Sequence, residues 1–260
     1  VPLSQKQNLQ RRLADLEAVL NRYLAKEYGM DPDNNKAFAR WKQSHQPFHW
    51  FIEFYGILNR GGFDVIVGNP PYVEYKEVKK DYFVIGYATQ ESGNLYAFTW
   101  ERSIALGNRA GRIGLIIPVA SVCTDGYATL QKIWLANGSV VVSNFNDRPG
   151  KLFDGLEHIR LSIVLFAKNM EGVRTIHTTT YNKWITEYRA HLFQNLLFTN
   201  TTVLVRGGSM PKVGSSFEAV VLAKISSSSK TLQHFALNSG HNHVFYTRKL
   251  SWFVQILDFV

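Results

Sequence analysis

Phe63-Asp64-Val65-Ile66-Val67 runs directly into Gly68-Asn69-Pro70-Pro71-Tyr72. A short apolar run closed by glycine and two prolines reads as a strand ending in a stiff loop, and it is expected at an exposed edge of the sheet. From there the pattern alternates. Residues 91–108 read as a helix with Leu95, Phe98, Ile104 and Leu106 as its apolar positions, and 112–117 as a strand stopped by Pro118. Residues 126–136 read as a helix and 139–145 as a strand, and a hairpin-like return from about 153 leads into strand 160–167. Such alternation predicts the α/β class, a partial Rossmann-like sheet with helices on both faces. Ligands of these sheets bind beyond the carboxyl ends of strands, which is where Asn69 falls.

The flanks read differently. Residues 4–27 predict an amphipathic helix, with Leu9, Leu13, Leu16, Leu20 and Leu24 on one stripe, Ser4 and Gln7 as a capping box, and Gly29 just past the end. A polar turn at 31–36 leads to a second helical region, about 36–59, dense in Phe, Trp and Tyr. Beyond residue 170, Val173–Tyr181 is β-branched and strand-like, 183–197 looks helical, and the chain from Val203 is punctuated by Gly and Ser. The expected organisation is a helical insert at 1–60, the catalytic half of a domain at 61–195, and a linker with the start of a further domain at 196–260.

Composition narrows the classes. The chain has 260 residues, 45% hydrophobic and 13% aromatic, which fits a packed core. It carries no run approaching the ~18 apolar residues of a membrane span. Its polar amino end does not read as a signal peptide, and the single cysteine, Cys123, fits a reducing cytoplasm. Net charge is +9, unevenly spread. Residues 1–60 hold nine Lys/Arg against six Asp/Glu, 61–169 eleven against ten, and 170–260 nine against four. A cationic excess in one part of a chain suits a phosphate backbone, and otherwise reads as a solvated basic surface.

The chemistry of the loop is specific. An aromatic amine such as N6 of adenine is a poor nucleophile, because its lone pair is delocalised into the ring. Two acceptors that take its two hydrogens pull the nitrogen towards a tetrahedral shape. The Asn69 side-chain oxygen and the Pro70 carbonyl suit that task, and Pro70 and Pro71 add no competing backbone N–H. Tyr72 offers a ring face on which a planar base can stack. The structural alternative is a Pro-Pro turn closing a strand. His241-Asn242-His243 lacks Cys/His partners at metal-site spacing, so no metal is expected.

With these residues the chain resembles the N6-adenine class of amino-methyltransferases, and within it the methylase part of combined restriction-modification or phage-defence enzymes. Gln46-Pro47-Phe48-His49-Trp50 and Gly61-Gly62-Phe63-Asp64 are similar to the lead-in of that family's catalytic loop. Asn94-Leu95-Tyr96-Ala97-Phe98, Gly111–Pro118 and Leu152-Phe153-Asp154-Gly155 look like its next segments, in the expected order. The resemblance implies transfer of a methyl group from S-adenosylmethionine to an adenine flipped out of double-stranded DNA. It implies Asn69, Pro70, Pro71 and Tyr72 as catalytic residues, with Tyr72 and Phe153 stacking on the base. Asp64 and Asn69 are expected near the cofactor, and Lys79, Lys80, Arg206 and Lys212 on DNA. The family's cofactor loop is a Gly-x-Gly turn, and this sequence has none. The resemblance therefore implies a piece of a longer enzyme, its cofactor loop supplied by the rest of the parent polypeptide or by a partner subunit. A protein-glutamine or RNA-guanine amino-methyltransferase, or a non-catalytic DNA-binding fragment, remains open.

Overall fold

A computed structural model describes residues 2–156, 158–169, 171–201 and 209–228. The chain divides into two compact units, Val1–Phe63 with Lys76–Ile85, and Asp64–Tyr75 with Gly86–Val260. Arg206, the His241–His243 pair and the apolar carboxyl end fall outside the described residues.

The first unit is helical. α1 (Leu3–Glu27) begins after Pro2 with no side-chain cap, so the Ser4/Gln7 capping box does not form. Pro2 itself starts the helix, because its fixed φ is already helical and its missing N–H would have had no partner. The other end follows expectation. Gly29 is at φ +68, and its N–H and that of Met30 bond back to the Lys26 and Ala25 carbonyls at 2.8 and 2.9 Å. The leucine stripe of α1 does not become core: Leu9, Leu13, Leu16 and Leu20 are exposed, and only Asn21 and Ala25 are buried. The aromatic region breaks into three helices, α2 (Asn35–His45), α3 (Trp50–Glu53) and α4 (Tyr55–Leu58). Gln46 causes the first break. It sits before Pro47, which disfavours helical backbone, and adopts φ +43. Trp41 is buried among the rings of Tyr28, Phe38 and His45, while Trp50 and Phe54 gather on Phe63.

The second unit is a mixed α/β domain. After β1 (Phe63–Gly68), α5 (Tyr75–Val78) belongs from Lys76 on to the helical unit; the second unit continues with α6 (Leu95–Leu106), β2 (Gly107–Pro118), α7 (Ala120–Cys123), α8 (Ala128–Asn137), β3 (Gly138–Phe145), β4 (Leu161–Lys168), β5 (Ile176–Asn182), β6 (Thr199–Thr201) and α9 (Ser216–Ser226). The sheet order is β1-β2-β4-β3-β5-β6. β4 is antiparallel to both β2 and β3, β3 and β5 are parallel, and β6 is antiparallel to β5. β1 runs with β2. Asp64 meets Asn108, Val67 lies against Gly114 and Gly68 against Leu115, in the same order along both strands. The carboxyl ends of β1, β2, β3 and β5 therefore share one edge of the sheet.

Side chains alternate across the strands. Ile113, Leu115 and Ile117 of β2, Val140 and Val142 of β3, and Val164 and Phe166 of β4 face the main core with Trp100 of α6 and Trp134 of α8. Phe145, Leu152, Leu161 and Trp184 form a second cluster, joined by Ile116 and Ile163. No α-helix covers this second cluster among the described residues. The helix expected at 183–197 is a 3-10 turn, Thr186–His191, followed by single turns. Trp184 is drawn into the cluster and Arg189 is held by carbonyls of another loop, so tertiary contacts override the local helical pattern. The described residues after 196 join the same unit: β6 extends the sheet and Met210 enters the main core.

Candidate functional site

The loop after β1 carries Asn69 to the shared edge. Asn69 and Pro71 are exposed, Pro70 is buried, and Tyr72 is half-buried. The Tyr72 hydroxyl lies 2.6 Å from Asn69 Oδ1 and 2.9 Å from the Ile116 carbonyl, and its one hydrogen can be donated to either. The carboxamide oxygen of an otherwise exposed asparagine is thus fixed by a phenol anchored to β2. Burial pushes the Tyr72 hydroxyl up to about 12, so it remains an O–H donor through the neutral range.

The Tyr72 ring stands edge-on to Tyr96, with centroids 6.2 Å apart at 85°. Tyr96 is buried and donates to the Tyr127 hydroxyl, which raises its pKa further beyond the effect of burial itself. The loop is tied to the start of α6 by Leu95 N–H on the Val73 carbonyl at 3.0 Å and Tyr75 N–H on the Gly93 carbonyl at 2.8 Å. Asn69 therefore sits on rigid backbone at both ends.

Phe153 borders the second apolar cluster, as Tyr72 does, so the structure brings both proposed stacking rings to one patch. The loop before Phe153 is pinned by Arg189, which donates to the Lys151 and Leu152 carbonyls at 3.1 and 2.7 Å. Asp64 is not gathered with them. It is the second residue of β1, accepts a hydrogen bond from Asn108, and stands five residues, about 16 Å of extended strand, before Asn69. Lys79 and Lys80 are exposed in the helical unit.

Lys212, expected on DNA, is 6% exposed, with its ammonium 5.4 Å from the Tyr181 ring centre. Burial lowers its pKa, and the neighbouring Cys123 acts in the opposite direction. A cation held inside the domain is not placed to meet a phosphate chain, because bringing that polyanion to it would require opening the core.

The sequence reading missed the Ile116 carbonyl, whose role is set by fold alone. It also missed the basic loop Arg148-Pro149-Gly150-Lys151, whose composition could have drawn notice. Among the described residues no helix is long and apolar enough to cross a membrane.

A family model described as Eco57I restriction-modification methylase matches residues 5–149. The protein named putative type II restriction enzyme and methyltransferase RM.MjaORFECS2P, from Methanocaldococcus jannaschii, is 30% identical over 142 residues. That match spans 49% of this chain and 12% of the relative's length. Among solved structures, the ATP-dependent Type ISP restriction-modification enzyme LlaBIII bound to DNA is 18% identical, with a TM-score of 0.45 over 56% of this chain and 12% of that one. The DrdV-DNA complex is 12% identical, with a TM-score of 0.45 over 60% of this chain and 19% of that one.

Proposed function

This chain belongs to the Eco57I restriction-modification methylase family, and from that premise we propose that its Asn69 loop serves N6-methylation of adenine in DNA, with S-adenosylmethionine as methyl donor. The observation that carries the reading is the Asn69 carboxamide oxygen held by Tyr72 at the carboxyl end of β1, beside the patch shared by Tyr72 and Phe153. Asn69 Oδ1 and the Pro70 carbonyl accept the two amino hydrogens. The lone pair is thereby freed, and the nitrogen is held in line for attack. Tyr72 and Phe153 sandwich the extruded base. Asn69 Oδ1 has two lone pairs, so it can keep the Tyr72 hydrogen bond and accept from the arriving amine as well.

The cofactor supplies a sulfonium methyl. A bound S-adenosylmethionine would deliver that methyl to the nitrogen that Asn69 and Pro70 hold. The residues seen here fit the amine side of that reaction. They do not fit the cofactor's amino-acid end, because the sequence has no Gly-x-Gly turn to let backbone approach it. We assign that cradle to the remainder of the parent polypeptide or to a partner subunit. Lys79, Lys80 and Arg206 stay as proposed phosphate contacts, and Lys212 does not.

The test is transfer of labelled methyl from S-adenosylmethionine to unmethylated DNA, RNA and protein. It compares this chain with a form extended by the residues encoded upstream. Transfer to adenine N6 of DNA by the extended form alone is expected. Transfer by neither form, or to RNA or protein instead, overturns the reading. Transfer by both forms overturns the placement of the cofactor cradle.

A second prediction concerns the phenol. Tyr72→Phe keeps the ring and removes the hydroxyl, so base stacking persists while Asn69 loses its anchor. One hydrogen bond is worth about 0.5–1.5 kcal/mol, so transfer should fall by roughly three- to tenfold. Because the hydroxyl ionises only near 12, wild type and variant should share the same pH profile between about 6 and 9. A loss as large as that of removing the Asn69 carboxamide would mean that the hydroxyl takes part in the chemistry.

A further inference from the structure

Two adjoining clefts of about 400 and 950 Å³ open on the same sheet edge, beside the Phe153 loop. Their common wall is Asp147, Arg148, Pro149 and His158. We infer that this trough takes the sugar–phosphate backbone of the strand that carries the reacting base, a site distinct from the base pocket itself. The inference rests on the reading of the Asn69 edge as a nucleic-acid site.

Position supports it first. The walls are the loop after β3 and the segment after β5, which leave the sheet side by side where the Asn146 N–H meets the Asn182 carbonyl at 3.0 Å. The loop after β2 joins them, with the Val119 N–H on the Arg160 carbonyl at 2.9 Å. Ile116, which anchors Tyr72, lies three residues before Val119 on the same strand end. The trough therefore adjoins the loop that bears Phe153 and reaches towards the Asn69 loop.

Charge supports it second. Residues 61–169 as a whole are almost neutral, eleven Lys/Arg against ten Asp/Glu. Yet the two clefts collect Arg148, Lys151, Arg160, Lys183 and Arg189 against only Asp147 and Asp154. The local excess is three positive charges; two of the five cations, Lys183 and Arg189, come from the basic segment 170–260 and are brought here by the fold. Asp147 is itself engaged: its carboxylate accepts from Arg160 Nε at 3.3 Å, with its side chain only 11% exposed. Arg160 stays half-exposed and lies 5.8 Å from the Tyr181 ring centre, so the guanidinium is held in place before any ligand arrives. Arg148 is likewise held, with Nη2 2.8 Å from His158 Nδ1. An open trough walled by pre-oriented guanidiniums and a lysine suits a chain of phosphodiesters better than a compact apolar ligand.

The experiment uses the full chain and a fluorescein-labelled mixed-sequence single-stranded DNA of sixteen nucleotides. Affinity is measured by anisotropy across a KCl series. The double substitution Arg148→Gln with Lys183→Gln should weaken binding at least tenfold at low salt. It should also lower the magnitude of the log K against log[salt] slope by about 1.4, since each single-strand phosphate contact contributes about 0.7. The exposed pair Lys132→Gln with Lys224→Gln, away from the trough, should leave that slope unchanged. Circular dichroism checks that both variants are folded. An unchanged slope in the Arg148/Lys183 variant overturns the inference, as does a tenfold preference for RNA of the same sequence. Binding needs no methyl donor, so the two readings fail separately. Trough-dependent DNA binding without methyl transfer counts against the Asn69 reading alone. Methyl transfer with an unchanged slope counts against the trough alone.

Discussion

Asn69→Ala is expected to lower methyl transfer to DNA by about 10²–10³-fold in the form that carries the cofactor cradle, while leaving DNA affinity nearly intact. The size follows from what is removed. Asn69 Oδ1 is a neutral acceptor held before the substrate arrives by a phenol hydroxyl 2.6 Å away, whose oxygen also lies 2.9 Å from the Ile116 carbonyl of β2. Such preorganised dipoles act on charge that develops in the transition state, so their loss appears in turnover rather than in binding. Asn69 is exposed, so truncating its side chain should change folding stability by no more than about 0.5 kcal/mol. Asn69→Asp preserves an acceptor of the same shape and should retain more activity than the alanine variant. Single-turnover rates with saturating DNA give the answer. An alanine variant within about threefold of wild type would remove Asn69 from the chemistry and leave the loop a plain Pro-Pro turn.

Much of the catalytic half was legible because its signals are local. The strand Phe63–Gly68 is bounded by its own glycine and prolines, and the strands Gly138–Phe145 and Leu161–Lys168 each carry a short apolar run, Val140–Val142 and Ile163–Ala167. Where expectation and structure part, a contact distant in sequence decides. Thr186–His191 has helical spacing, but burial of Trp184 and the grip of Arg189 on Lys151 and Leu152 hold it as a 3-10 turn. Lys212 read as a surface cation because composition carries no depth. Its burial follows from a neighbour in the core, Met210, whose N–H bonds to the Val122 carbonyl at 2.9 Å. One local signal was present and passed over. Ser215-x-x-Glu218 is a capping box. Its Glu218 N–H bonds to Ser215 Oγ at 3.2 Å, and its carboxylate accepts from the Gly214 N–H at 2.7 Å, which starts α9 inside what read as a linker.

The site was legible in its chemistry and not in its support. Asn69, Pro70 and Tyr72 declare an acceptor pair and a ring from residue types alone. That the ring's hydroxyl reaches the Asn69 oxygen, and that Ile116 anchors it, depends on β1 lying beside β2. Val65 and Val67 are 60% and 77% exposed. β1 ends the sheet order, so one side of its backbone ladder and much of its apolar surface are unpartnered among the described residues.

Trp100→Ala should cost about 3–5 kcal/mol of folding stability. Trp100 is 0% exposed and sits edge-on to both Trp134, at 5.2 Å and 71°, and Phe166, at 6.3 Å and 80°. It thus joins α6, α8 and β4 in one contact set. Its replacement leaves a cavity whose walls are fixed by the sheet on one side and by a second indole on the other, so collapse can recover little. A domain with about 5–15 kcal/mol in total would lose a large share of its margin. Trp100→Phe separates volume from polarity. The indole N–H has no hydrogen-bond partner among the described residues, so a phenyl ring gives up volume but no bond, and should cost well under half as much. Urea unfolding followed by far-ultraviolet circular dichroism reads both variants without depending on tryptophan fluorescence. A loss below about 1 kcal/mol for the alanine variant would show that α6 is not packed on the sheet as described. The Asn69 loop would then lose the rigid base that its hydrogen bonds to the start of α6 provide.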